Sequence, residues 1–146
     1  MKKYLWLLSV VTILGCDNRF IDPFSGASSG KSQSTDLDEH FILSIGETAI
    51  FENEGVNVRF ESVPTESRCP DGALCFWEGE AIVKLQIAKS GMGSTTIELN
   101  TTQPRMAKFF SYTVELLELS PHPVLDQQLD ASAYRASLII KKANDQ

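Results

Sequence analysis

The stretch Gly55-Val56-Asn57-Val58-Arg59-Phe60-Glu61-Ser62-Val63 decides the fold class, because apolar and polar side chains alternate along it. The apolar set is Val56, Val58 and Phe60; the polar set is Asn57, Arg59 and Glu61. A period of two places the two sets on opposite faces of an extended chain, whereas a helix needs a spacing of three or four. The stretch therefore predicts a β-strand with one buried face.

Six other segments give strand signals and are separated by turn-forming residues. They are residues 41–45, 48–52, 76–88, 94–99, 108–119 and 134–142. Only residues 124–132 fit a helical turn or two. The pattern predicts an all-β fold with about seven strands, forming a single antiparallel β-sandwich or a small barrel with one disulfide. Both architectures require the same alternation, so the choice between them stays open.

The amino terminus has the layout of a signal peptide. Lys2 and Lys3 precede an apolar run over residues 4–14, which as a helix would rise only about 16 Å, roughly half of a hydrocarbon core. The run ends in Ile13-Leu14-Gly15-Cys16, which resembles the lipobox of bacterial lipoproteins. That resemblance implies cleavage before Cys16 and acylation of its thiol, so that Cys16 is the first residue of the mature protein. The alternative is an ordinary signal peptide with an incidental cysteine.

Three regions follow from this start. Residues 1–15 are the lipoprotein signal peptide, residues 16–38 the lipidated amino terminus with a polar Gly- and Ser-rich tether, and residues 39–146 the β domain. We expect the domain to be lipid-anchored in a bacterial cell envelope, outside the cytoplasm and facing the periplasm. Asp17 resembles the signal that retains lipoproteins in the inner membrane of enteric-type bacteria, although either membrane fits the rest of the sequence.

The charge of the chain argues against nucleic-acid binding. The formal net charge is −6, and removal of residues 1–15 takes away Lys2 and Lys3 but no acid. The mature chain would then carry 11 basic and 19 acidic side chains, a net charge of −8. Such a surface repels phosphate backbones, and no basic run follows Lys3.

Cys69 and Cys75 remain once Cys16 is assigned to lipidation. An even pair in an oxidising compartment predicts a disulfide, which closes a ring of seven residues. The two alternatives are a structural zinc site and a thiol–disulfide catalytic site. A structural zinc site needs four ligands, and the sequence has no second cysteine pair. Thiol–disulfide catalysis usually uses two-residue spacing between the cysteines.

The segment Glu66-Ser67-Arg68-Cys69-Pro70-Asp71-Gly72-Ala73-Leu74-Cys75-Phe76-Trp77-Glu78-Gly79-Glu80-Ala81 resembles the signature of a family of small, uncharacterised bacterial lipoproteins. The shared pattern is Ser-Arg-Cys-Pro, a glycine, a second cysteine, then Trp, Gly and Ala leading into a strand. The resemblance implies a small extracytoplasmic β domain with a disulfide, extending over residues 41–142. It implies no activity and therefore no functional residue.

Three side-chain roles are expected in this segment. Trp77 should pack its indole over the disulfide or into the gap between sheets. Gly79 should allow a bulge or a close backbone approach. Arg68, flanked by Glu66 and Asp71, should form an ion pair that orients the loop.

Two interpretations of the loop remain open. In one, it is a disulfide-stapled corner that serves folding. In the other, it is a rigid, charged loop presented to a partner, with Arg68, Asp71, Glu78 and Glu80 as contacts, since a pre-ordered loop loses less entropy on binding.

No residue pattern nominates an enzyme. The only histidines, His40 and His122, lack a nearby nucleophile elbow and are expected in solvated loops. We therefore expect no catalytic residues, no metal and no cofactor. The predicted function is that of a membrane-tethered binding or accessory module, with an envelope protein as the expected partner. The alternatives are a structural or stress-related envelope lipoprotein and a small-ligand carrier.

Overall fold

The computed structural model describes residues 31–143 of the 146-residue chain. The predicted signal peptide, Cys16 and most of the predicted tether lie outside the described residues. The described part contains nine strands. They are β1 Ser32–Ser34, β2 His40–Ser44, β3 Thr48–Phe51, β4 Val56–Glu66, β5 Ala81–Lys89, β6 Gly93–Asn100, β7 Met106–Phe109, β8 Tyr112–Ser120 and β9 Arg135–Lys142.

These strands form two separate sheets. One has the order β1-β3-β4-β5-β6 and the other the order β2-β9-β8-β7. All neighbours pair antiparallel except β1 and β3, which are parallel. Over residues 31–143 each sheet keeps two edge strands and neither closes into a barrel. The all-β prediction is confirmed, and of its two forms the structure is sandwich-like.

The core lies between the sheets, where the predicted alternation places it. Val56, Val58 and Phe60 on β4 are buried, as are their counterparts on β9, Ala136, Leu138 and Ile140. Phe41 of one sheet meets Phe51 of the other edge to face, with ring centroids 5.4 Å apart. Apolar burial is the main favourable term in folding, so this double layer accounts for the stability of the sandwich.

The structure corrects several predicted boundaries. Residues 32–34, expected in the tether, pair with β3 as β1. The segment predicted as one strand over residues 108–119 is a hairpin, because Phe110 adopts a φ of +50° between β7 and β8. The strand predicted to start at Phe76 starts at Ala81. Residues 124–132 contain no α-helix; the short 3-10 helix Ala131–Ala133 overlaps their end.

The sandwich has two ends that differ in their connections. At what we call the loop end, β4 stops at Glu66 and β5 starts at Ala81, and the long disulfide-containing connection lies between them. At the hairpin end, Val56 pairs with Lys89 and a tight turn links β5 to β6. The predicted functional segment therefore belongs entirely to the loop end.

Candidate docking site at the disulfide loop

The loop of residues 67–80 is closed by the predicted disulfide. Cys69 and Cys75 are bonded, with their Cα atoms 6.0 Å apart. Outside the ring, the two arms of the loop continue the pairing of β4 with β5. Ser67 donates its backbone N–H to the carbonyl of Glu80, and Cys69 donates to that of Glu78, both at 2.8 Å. The disulfide therefore staples the tip of an extended hairpin.

Gly79 makes this pairing possible. It has a φ of +71°, and a Cβ at this position would lie 1.9 Å from the carbonyl oxygen of Ser67. No side chain fits such a gap, so the two arms approach this closely only with glycine. The predicted close backbone approach is confirmed.

Arg68 anchors the base of the loop and is only 9% exposed. Its Nε and Nη2 donate to the carboxylate of Glu66, with Nη2 2.5 Å from Oε2. Nη1 donates to the carbonyl of Leu119 at 2.7 Å, and Nη2 also donates to that of Pro121 at 3.0 Å. The predicted orienting ion pair forms with Glu66. Since the guanidinium is engaged inside the fold, Arg68 supports the loop and is not displayed on its surface.

Tyr134, which directly precedes β9, also contacts the Glu66–Arg68 pair. Its hydroxyl donates to Glu66 Oε2 at 2.8 Å. Burial raises the pKa of the Glu66 carboxyl, but the hydrogen bonds from Arg68 and Tyr134 together outweigh that effect and leave the pKa below its ordinary value. Burial, and then the hydrogen bond to Glu66, raise the pKa of Tyr134 to about 12. Glu66 is held ionised and Tyr134 neutral.

A second connection, which follows β8, braces the loop from the side. Asp71 donates its backbone N–H to Pro123 and accepts from the N–H of Leu125, at 2.9 and 3.0 Å. Nε2 of His122 lies 2.8 Å from the carbonyl of Cys69 and 3.9 Å from the carboxylate of Asp71. This contact between distant segments had no signal in the sequence, because it depends on how the two sheets stack.

The tip of the loop is apolar and exposed. The relative exposure is 104% for Leu74, 102% for Phe76 and 76% for Trp77. The prediction that Trp77 packs over the disulfide or between the sheets is wrong. The gap between the sheets is already filled by core residues, which do not include Trp77.

The predicted acidic contacts separate into two groups. Asp71 and Glu78 are exposed. Glu80 is half-buried and accepts a 2.5 Å hydrogen bond from Nδ2 of Asn100, so its carboxylate ties the start of β5 to the end of β6. The displayed surface thus consists of three large apolar side chains beside two carboxylates.

His40 and His122 lie in different parts of the described structure and do not form a common site. His40 begins β2, not a loop, and its Nε2 is hydrogen-bonded to Oγ of Ser137 on the neighbouring strand. His122 belongs to the loop end. Among residues 31–143, no cluster of three or more His, Cys, Asp or Glu side chains is placed to hold a metal ion.

A cavity of about 220 Å³ opens at the hairpin end, lined by Thr35, Asp36, Leu37, Phe51, Asn53 and Glu54. Sites for small organic ligands usually measure about 300–1,000 Å³ and are largely apolar. This cavity is smaller and partly acidic, so it gives the carrier alternative no support.

Comparisons with protein-family models, with curated proteins and with solved structures found no match. In the described part of the chain, no helix has both the length and the apolar character needed to cross a membrane.

Proposed function

We propose that this protein is a membrane-tethered extracytoplasmic lipoprotein, anchored through Cys16, that acts as an accessory module of the cell envelope and docks through its loop end. The anchoring half of the proposal is supported by the basic start, the short apolar run and the Gly15-Cys16 junction. The bonded pair Cys69 and Cys75 fits an oxidising compartment.

One observation carries the docking half: Leu74, Phe76 and Trp77 are all exposed on a loop that a disulfide closes. Leaving one such side chain in water forgoes about 1.5–3 kcal/mol of burial free energy. A loop that served only to stabilise the fold would not need three large apolar side chains exposed to solvent at its tip. Gly79, the disulfide and Arg68 fix the loop beneath them, which limits the entropy lost on docking.

Anchoring is tested by labelling cells with a fatty-acid analogue and determining the mass of the amino-terminal peptide. We expect label on the wild-type protein, a mature chain that starts at Cys16, and no label on Cys16→Ala. The double variant Cys69→Ser/Cys75→Ser is the matched control and should keep its label. An unmodified Cys16 in the wild-type protein would refute the anchoring.

Docking is tested by placing a photo-crosslinking amino acid at Leu74 in cells and, as a control, at Met92. Met92 is 58% exposed and lies in the β5–β6 turn at the hairpin end. We expect adducts from position 74 and few from position 92. Equal, diffuse labelling from both positions would instead favour a structural envelope lipoprotein without a specific docking surface.

A further inference from the structure

We infer that the loop end docks on the bilayer that holds Cys16, with Leu74, Phe76 and Trp77 inserted among electrically neutral lipid headgroups. This inference rests on the proposed anchoring at Cys16 and names what the proposed docking surface contacts. Three independent features lead to it: the direction of β1 and the chemistry of the loop tip, which belong to the described residues, and the number of residues between Cys16 and β1.

The direction of β1 shows from which end the preceding chain arrives. Ser32 pairs with Thr48 and Ser34 with Ile50, so β1 runs parallel to β3. Thr48 is level with Arg59 on β4, while Phe51 is level with Val56 at the hairpin end. Both β1 and β3 therefore run from the loop end toward the hairpin end. The first residue of β1, Ser32, is therefore at the end of that strand that points toward the disulfide loop, and the preceding chain is attached there.

The chain between Cys16 and β1 is long enough for Cys16 and the loop tip to contact the same membrane surface. Ser32 pairs with Thr48, Thr48 with Arg59, and Arg59 with Gln86, so Ser32 and Gln86 lie at the same height in the sheet. Ala81, the first residue of β5, lies five residues closer to the loop end than Gln86. Five strand residues span about 17 Å, and the loop tip projects beyond them. Fourteen residues lie between Cys16 and Lys31, so the two Cα atoms are joined by fifteen backbone steps that reach at most about 50 Å. The anchor and the tip can therefore meet the same surface without stretching the chain to its limit.

The chemistry of the tip suits a lipid interface. Its three large apolar side chains are exposed to solvent and are therefore free to insert into a bilayer. Tryptophan prefers the headgroup level of a bilayer. Val124 and Leu125, 37% and 47% exposed, lie in the bracing connection beside the ring and extend the apolar surface. An amphipathic surface of this kind gains free energy in proportion to the apolar area that it buries.

The charges around the tip select the type of lipid. Asp71 and Glu78 are exposed in the loop, and Arg68 is buried and paired. A negative rim is repelled by anionic headgroups within about one Debye length, which is about 8 Å at physiological ionic strength. Docking should therefore be strongest on zwitterionic lipid and weaken as anionic lipid is added.

The experiment uses the lipidated protein, purified from its membrane and reconstituted into phosphatidylcholine vesicles. The sequence has two tryptophans, Trp6 and Trp77, and cleavage before Cys16 leaves only Trp77. We expect its emission to shift to shorter wavelength and to be largely quenched when the acyl chains are brominated. Replacing part of the lipid by phosphatidylglycerol should reduce the quenching, and added salt should restore it.

The variant Leu74→Ser/Phe76→Ser keeps Trp77 as the fluorescent reporter but removes two of the three large apolar side chains at the loop tip. Each substitution should lower the ratio of docked to undocked protein about tenfold, since each removes the transfer free energy of one large apolar side chain. Met92→Ser, at the opposite end of the sandwich, is the matched control and should leave the quenching unchanged.

The outcomes separate this inference from the proposed function. Quenching that is lost in the double variant and kept in Met92→Ser supports bilayer docking. Solvent-like Trp77 emission in every vesicle, together with protein adducts from position 74 in cells, would overturn the inference while leaving the docking surface in place with a protein as its occupant. Solvent-like emission without any selective adduct from position 74 would refute both bilayer docking and the proposed docking surface, and the anchoring at Cys16 would be judged by its own test.

Discussion

The guanidinium of Arg68 donates a 2.7 Å hydrogen bond to the backbone carbonyl of Leu119 and so joins the two sheets at the loop end. Arg68 directly follows β4 of one sheet, and Leu119 lies on β8 of the other. The same guanidinium forms an ion pair with Glu66, 2.5 Å away. One buried side chain thus holds both the sandwich and the base of the disulfide loop.

Arg68→Met should destabilise the protein by about 2–4 kcal/mol, because it leaves the partly buried Glu66 carboxylate without its cation. Denaturant unfolding measures this change. Lys84→Met is the control, since Lys84 forms only an exposed pair with Glu61 at 3.7 Å, and such pairs contribute about 0–1 kcal/mol. The variant Glu66→Gln/Arg68→Met should regain part of the lost stability. Equal losses in Arg68→Met and Lys84→Met would contradict this role.

Gly79→Ala should destabilise the protein more than Gly91→Ala. Both glycines have positive φ, +71° and +74°, so alanine is strained by about 1–2 kcal/mol at either position. Only at Gly79 does the new Cβ meet a backbone atom, the carbonyl oxygen of Ser67, which should add about 1–3 kcal/mol. Thermal or denaturant unfolding of the two variants compares them directly. Indistinguishable stabilities would show that the arms of the loop can separate freely.

Reducing the disulfide should loosen the loop without unfolding the sandwich. A seven-residue ring contributes roughly 2.4 kcal/mol in the chain-entropy estimate. The core lies between the sheets and does not include the ring. Cys69→Ser/Cys75→Ser should therefore stay folded by circular dichroism, yet be cleaved faster by chymotrypsin at Leu74, Phe76 and Trp77. Loss of the β signal in the absence of denaturant would show that the ring is required for folding.

Acid should weaken the loop end through Glu66. The pKa of this carboxyl in the folded protein is below its ordinary value of 4.5. A lowered folded-state pKa stabilises the protein above about pH 4.5, and that contribution is lost as the pH falls through the folded pKa. The stability difference between wild type and Glu66→Gln should therefore shrink below pH 4.5 in denaturant titrations. A difference that stayed constant down to pH 2 would contradict the assignment.

Local pattern was sufficient for the fold class and for the disulfide. The alternation of Val56, Val58 and Phe60 predicts which face is buried because a strand's side chains alternate regardless of what packs above them. The parallel strand β1 was missed because Ser32–Ser34 has no apolar face and pairs with β3 through its backbone. The hairpin at Phe110 was missed because a large apolar residue seldom adopts positive φ.

The sequence by itself determined the all-β class, the buried face of β4, the paired cysteines and the acidic net charge, because these depend on neighbouring residues and on composition. Only the tertiary structure decided that Arg68 lies inside, bonded to Leu119, and that Trp77 lies outside. It also decided that β1 runs from the loop end toward the hairpin end. These features depend on the stacking and register of two sheets, whose contacts join residues tens of positions apart that no local pattern relates.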